Sequence, residues 1–304
     1  QAAPDPAYAR RCRELCDQTG ALLIVDEVRA GLRLTTDCPV SHVLEERAFR
    51  LEQPIALFLG PEAVGVYAAG YGVADKSVGL ICVWTAAAGS PLMMAAWERG
   101  GPQAMREVSA QVARTLMLVA APAAAGLALV AQPLSQVMIG EQMQAQAAAI
   151  MPWIALSGLI NGFVLHYVSE AYQLSHRTAL RAWLMLAPAL ANVALNAILL
   201  PWIGLMGAVY ATVACYALAL VLLASVGRRL APLAWPWLDF LKVGGACAAM
   251  AIVVRLLPAP GGLAELVLKA SIGAATYVAT ALVFDAGGAR SALQQIGARH
   301  ARRV

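Results

Sequence analysis

The 304 residues are 60% apolar and only 13% charged, a balance unlike that of a soluble surface, so the bulk of the chain is expected in lipid. The net charge of +4 does not mark a nucleic-acid binder, because Lys and Arg fall between apolar runs and no basic stripe is interleaved with aromatics. Charge is also unevenly spread: residues 1–53 hold seven Lys/Arg and nine Asp/Glu, whereas the rest of the chain holds fifteen and nine.

The first twenty residues carry six charges and no apolar core, so a signal peptide is not expected there. The stretch "YARRCRELCDQTG" reads as a polar helix stopped by Gly20, and "ALLIV" behind it as a strand ending in Asp26 and Glu27. That is half of an α/β unit. Cys12 and Cys16 are four apart, as are Cys38 and His42, which could supply four soft ligands to zinc; nothing requires the two pairs to meet, and no metal site is expected. Cys82, Cys215 and Cys247 lie in apolar runs and behave as small hydrophobes, so no disulfide framework is expected.

From residue 54 onward the apolar runs are mostly long enough to cross a bilayer as helices, which takes about 20 residues. Seven full spans are predicted, at 66–96, 114–138, 146–173, 178–200, 204–226, 239–257 and 263–284, with a stub at 54–60. Pro91, Pro122 and Pro188 are read as lying within helices, and the abundant Ala and Gly as permitting close helix packing. Alternate connections hold Arg99, Arg106 and Arg114, then Arg177 and Arg181, then Arg228, Arg229 and Lys242, then Arg290 and the tail arginines. The opposite connections hold only Arg255 and Lys269. This asymmetry predicts a multipass protein of a bacterial inner membrane with its C-terminus in the cytoplasm and the loop "QPLSQVMIGEQMQAQ" outside.

Polar side chains in or near the spans are the candidates for a substrate path. Asp75 and Lys76 are read as a pair near the outer surface, either interfacial or lining a cavity that meets an anionic headgroup. His166 and Glu170, four apart, share a helix face near the cytoplasmic end of their span and are read as an interhelical hydrogen bond or a proton relay. Asn192 and Asn196 repeat that spacing and must find amide partners, between helices or on a substrate. Trp202, Trp235 and Trp237 are placed as interfacial anchors.

The runs "LGPEAVGVYAAGY", "APAAAGLALVAQPLSQVMIG" and, most specifically, "NVALNAILLPWIGLMGAVYATVACY" resemble the C-terminal lobe of polysaccharide exporters in the multidrug/oligosaccharidyl-lipid/polysaccharide superfamily. The resemblance implies an O-antigen-type flippase that moves a lipid-linked oligosaccharide, a polyprenyl-diphosphate sugar, by alternating access of two helical lobes. A single lobe cannot rock against itself, so the chain is expected to be truncated and inactive alone, with membrane lipid, an N-terminal lobe and polysaccharide-assembly proteins as partners.

The opening "YARRCRELCDQTGALLIVDEVRAGLRL" resembles class III pyridoxal-phosphate aminotransferases of the glutamate-1-semialdehyde aminomutase type. That resemblance makes Asp26 the partner of the pyridine nitrogen, with Leu32 departing from the usual aromatic. No lysine precedes Lys76, and some forty residues cannot bury a core, so Asp26 is read as vestigial and no cofactor is expected.

The expected fold is all-α, a polytopic membrane helix bundle with a short α/β remnant. The parts are 1–40 aminotransferase-like, 41–53 junction, 54–230 flippase-lobe helices, 231–288 two additional helices and 289–304 a basic tail. The alternatives are a multidrug or cation antiporter of the same superfamily, a pyridoxal-phosphate aminotransferase, which would be yellow, and a non-transporting membrane scaffold. A reporter fused after Val304 is expected to be active only if it is of the cytoplasmic type; activity of a periplasmic reporter there overturns the orientation.

Overall fold

The computed structural model describes Leu59, residues 61–288 and Arg290. The aminotransferase-like segment with Asp26, the junction, the stub apart from Leu59, the tail beyond Arg290, and Cys12, Cys16, Cys38 and His42 lie outside the described residues. Helix α1 runs Pro61–Leu129, α2 Ala131–Met138, α3 Gln144–Phe163, α4 Ser169–Leu174, α5 Thr178–Ile203, α6 Leu205–Leu230, α7 Trp237–Leu256 and α8 Gly262–Val283. A π-turn, Val164–Val168, joins α3 to α4 without a break. Among the described residues six helical runs, with α3 to α4 counted as one, are long and apolar enough to cross a membrane, and the chain is a polytopic membrane helix bundle.

The longest helix is two spans folded on each other. At Gly101 the backbone turns to φ 67° and ψ −162°, a conformation that favours glycine, and Pro102 opens the second leg where its missing N–H costs nothing. The legs 61–100 and 102–129 then pack side by side: a Cβ on Gly89 would come within 2.9 Å of Val112, and these two positions lie almost equally far from Gly101. The sequence reading placed a loop between 96 and 114, and the structure corrects it. Residues 97–113 are helical except at the turn, so the helices continue past their apolar stretches. At about 1.5 Å per residue the first leg is roughly 60 Å long, twice the ~30 Å of hydrocarbon it has to cross. The predicted span 114–138 is likewise divided, at Val130, into the end of α1 and the short α2.

Three apolar clusters hold the bundle. One joins both legs of α1 to α3, the π-turn, α4 and α6 through Val78, Met93, Leu116, Tyr167, Tyr172 and Leu223. A second, at the other end, packs Tyr67 and Ala74 against Ile139, Ile150, Leu200 and Val209. The third fixes α7 and α8 on the second leg through Ala121, Val243, Met250 and Tyr277. Lipid is as apolar as these side chains, so close packing and not water exclusion supplies the stabilisation. The closest approach of one helix to another's backbone is between α5 and α6. Gly204 turns the chain at φ 61°, and a Cβ on Gly207 would lie 2.5 Å from the Leu199 carbonyl oxygen.

The two ends of the bundle differ in charge. Arg114 on the second leg pairs with Asp239 at the start of α7 at 2.6 Å. The Ala234 N–H of the α6–α7 connection donates to Ser109 Oγ at 3.1 Å, and Tyr172 donates to the Leu223 carbonyl near the end of α6 at 2.8 Å. The Gly101 turn, the α4–α5 and α6–α7 connections and the chain beyond α8 therefore share one end. It carries Arg99, Arg106, Arg114, Arg177, Arg181, Arg228, Arg229, Lys242 and Arg290, whose guanidinium also caps the Leu282 and Val283 carbonyls at the end of α8. At the opposite end the α2–α3, α5–α6 and α7–α8 connections meet. There Gln136 of α2 accepts the Gly262 N–H at 2.9 Å, and Glu265 accepts the Gly261 N–H at 3.0 Å while pairing with Lys269.

Gly207→Ala is expected to force α5 and α6 apart and cost about 1–3 kcal/mol, seen as a lower unfolding temperature in detergent. Gly72→Ala, where an added Cβ meets nothing within 4 Å, leaves that temperature unchanged or raises it.

Candidate functional site

The sequence candidates fall into three separate places. Fourteen helical residues precede Asp75 on the first leg. Its carboxylate is half-buried and faces α3, where a Cβ on Gly158 would lie 3.6 Å from Asp75 Oδ1. Tyr71, one turn earlier, is within hydrogen-bonding reach of Asp75 and of Tyr216 on α6, and its ring stacks on Tyr67 at 5.4 Å. A carboxylate, two phenols in sequence and a third aromatic ring thus join the first leg to α3 and α6. Lys76, the neighbour of Asp75, is exposed on the other side of the helix. The tyrosine partners were missed by sequence reasoning, although Tyr67 and Tyr71 stand one helical turn apart and Tyr71 and Asp75 repeat that spacing.

Asn192 and Asn196 are both 1% exposed, on the face of α5 that packs against α6. Asn196 Nδ2 donates to the Asn192 backbone carbonyl at 2.7 Å and to Asn192 Oδ1 at 3.0 Å, so much of the bonding stays within one helix. Cys215 of α6 lies near Asn192 across the interface, and by hydrogen-bond geometry Asn192 Nδ2 and Asn196 Oδ1 are left without a partner.

His166 and Glu170 stand at the basic end, but not on a regular α-helical face. His166 lies in the π-turn and Glu170 just after it, so the spacing of four no longer stacks them one above the other. The Val164 carbonyl of the widened turn receives both the Ser169 N–H and, at 2.7 Å, the Ser169 hydroxyl. Glu170 is 6% exposed and accepts the Ser90 hydroxyl from the first leg at 3.0 Å. Arg181 of α5 interacts electrostatically with both His166 and Glu170. Nearby, Phe163, Tyr167, Trp235 and Phe240 form an aromatic cluster in which Tyr167 donates to the Ala234 carbonyl. Trp235 is therefore packed among rings, whereas Trp202 and Trp237 are exposed at helix ends, as an anchoring role needs.

A further feature has no counterpart in the sequence reading. Between the two legs of α1 and the α7–α8 pair lies an open groove of about 450 Å³. Its walls are apolar, with Pro122, Gly126, Met250 and Gly273 among them, and its polar groups are Ser77, Lys269 and the hydroxyl side of Tyr277. Lys269 enters the groove already paired with Glu265. Tyr277 donates to the Leu118 carbonyl at 2.7 Å.

Residues 51–148 match the model of a family described as "Polysaccharide biosynthesis protein". The fold matches a solved structure described as "Lipid II flippase MurJ, inward closed conformation" with a TM-score of 0.64 at 16% identity, over 81% of this chain and 52% of that one. An aminopentol aminotransferase of Sphingopyxis macrogoltabida is 42% identical over 67 residues, which is 20% of this chain and 16% of that protein. An acetylornithine aminotransferase of Methanosarcina acetivorans is 59% identical over 32 residues, 10% of this chain and 8% of that protein. The chain thus spans about half the length of the flippase and less than a fifth of either aminotransferase. Both resemblances expected from the sequence are found, and the membrane bundle shares the fold of that solved structure.

Tyr71→Phe removes the hydroxyl between Asp75 and Tyr216 and leaves a half-buried carboxylate short of a donor. A loss of about 1–3 kcal/mol is expected, measured as a lower unfolding temperature of the detergent-solubilised chain; no change would mean that the three groups do not bond.

Proposed function

We infer that the chain is part of a membrane transport protein of polysaccharide biosynthesis, which moves a lipid-linked oligosaccharide across a bacterial inner membrane without covalent chemistry. The observation that carries this reading is the coincidence of a flippase fold with a polysaccharide-biosynthesis match in the same helices. The groove beside the first leg supports it, because an apolar channel open to lipid suits a polyprenyl chain better than a sugar. On the same leg, Lys76, exposed and next to Ser77 of the groove wall, offers a cation to the diphosphate. The end rich in arginine faces the cytoplasm on this reading, which puts the chain beyond α8 on that side. Alternating access requires a second bundle to close against the first. That counterpart is a further lobe of the same assembly, and polysaccharide-assembly enzymes would deliver the substrate.

Binding can be tested apart from transport. The chain in lipid nanodiscs is expected to bind a fluorescent polyprenyl-diphosphate oligosaccharide saturably, and Lys76→Gln to weaken binding about 10- to 100-fold, the value of one charge-assisted hydrogen bond. Binding of a lipophilic cationic dye in preference to the diphosphate lipid would overturn this reading in favour of a cation antiporter.

A further inference from the structure

Two carboxylates in the described bundle are nearly fully buried, and their partners differ in kind. Glu265, 5% exposed, is held by the Lys269 ammonium and the Gly261 N–H. Both partners can only donate, so that site is satisfied by a carboxylate alone. Glu170, 6% exposed, meets the Ser90 hydroxyl. A hydroxyl donates to a carboxylate and, on rotating, accepts from a carboxylic acid, so the Glu170 site can keep its hydrogen bond in either protonation state.

Its surroundings are arranged around that choice. Ser90 comes from the first leg, 80 residues away in sequence, and Arg181 comes from α5. His166 stands on the preceding π-turn, a geometry that often marks functional sites. The remaining neighbour, α6, packs Gly227 against Tyr172 and turns Arg228 and Arg229 to exposed positions. The carboxylate lies four residues from the end of α4, so a proton has a short path from the basic end and a long one from the other.

We propose that Glu170 is a reversible proton-binding site at the basic end of the bundle, read out through Ser90 on the first leg and Arg181 on α5. In the binding step a hydronium O–H bond breaks, an O–H bond forms on a Glu170 carboxyl oxygen, and water leaves. The neutral acid no longer attracts Arg181, while the bond to Ser90 is kept with its direction reversed. The start of α5 is thereby loosened from α4 while the first leg stays attached. This holds whatever the bundle carries, since its readout is proton binding by the chain itself.

Infrared difference spectra of the whole chain in lipid nanodiscs, recorded against pH, test it. The wild-type chain is expected to show a protonated-carboxyl stretch that E170Q lacks and E265Q retains. In S90A the band persists, with its frequency and midpoint displaced by the lost hydroxyl. Helical circular dichroism checks each variant, and should E170Q not fold, E170D serves in its place, with a band moved in frequency. A band that survives unchanged in the folded Glu170 variant, or one indifferent to S90A, overturns the proposal, as does a wild-type spectrum in which no titrating component is lost on replacing Glu170.

Discussion

Hydrocarbon offers no hydrogen bonds, and this constraint governs the whole bundle: each polar group carried into the lipid has to find its partner within the chain. Helix formation settles the backbone. Hydroxyls are settled locally, with Thr85, Thr212, Thr276 and Thr280 each donating to the carbonyl one turn back on their own helix. Tyrosines settle theirs at a distance, and in doing so tie elements together. Tyr167 bonds the α6–α7 connection, Tyr172 bonds α6, and Tyr277 of α8 bonds the second leg of α1. The polar requirement that could have weakened the bundle therefore supplies its cross-links.

Small residues set how near those cross-linked helices come. Gly89 admits Val112 between the legs of α1, Gly162 admits Cys82 between the first leg and α3, and Gly207 admits the backbone of α5. Such contacts make the two legs, α3 and α6 a tightly packed block. Helix α5 rests chiefly on α6, and the α7–α8 pair is attached along the second leg, leaving the groove at their boundary. The bundle thus consists of a tightly packed block, a helix resting on its α6 side and a helix pair laid along its second leg.

Much of this was legible from hydropathy, and what was not has a physical reason. Apolar runs report immersion in lipid, so they located the helices but not their ends. Residues 97–113 are polar because they rise out of the hydrocarbon, and they stay helical there, which a hydropathy reading takes for a loop. The asparagine pair of α5 was readable because its spacing is local. Ser90 with Glu170 and Tyr71 with Tyr216 were not, because each joins residues that only the folded chain brings together. The π-turn left no mark in composition, yet it changes how His166 and Glu170 relate. The aminotransferase-like opening was recognisable from a short motif, although Asp26 lies outside the described residues.

The small helix α2 has a mechanical meaning beyond its length. It is separated from α1 by the break at Val130, it is bonded through Gln136 to the first residue of α8, and Gln144 of α3 reaches back to the Ile139 carbonyl that ends it. It therefore ties the start of α3 to the start of α8 at the end of the bundle opposite the arginine cluster. These two bonds link α3 to the root of α8, whose Lys269 and Gly273 line the apolar groove, by a route that runs outside the packed core.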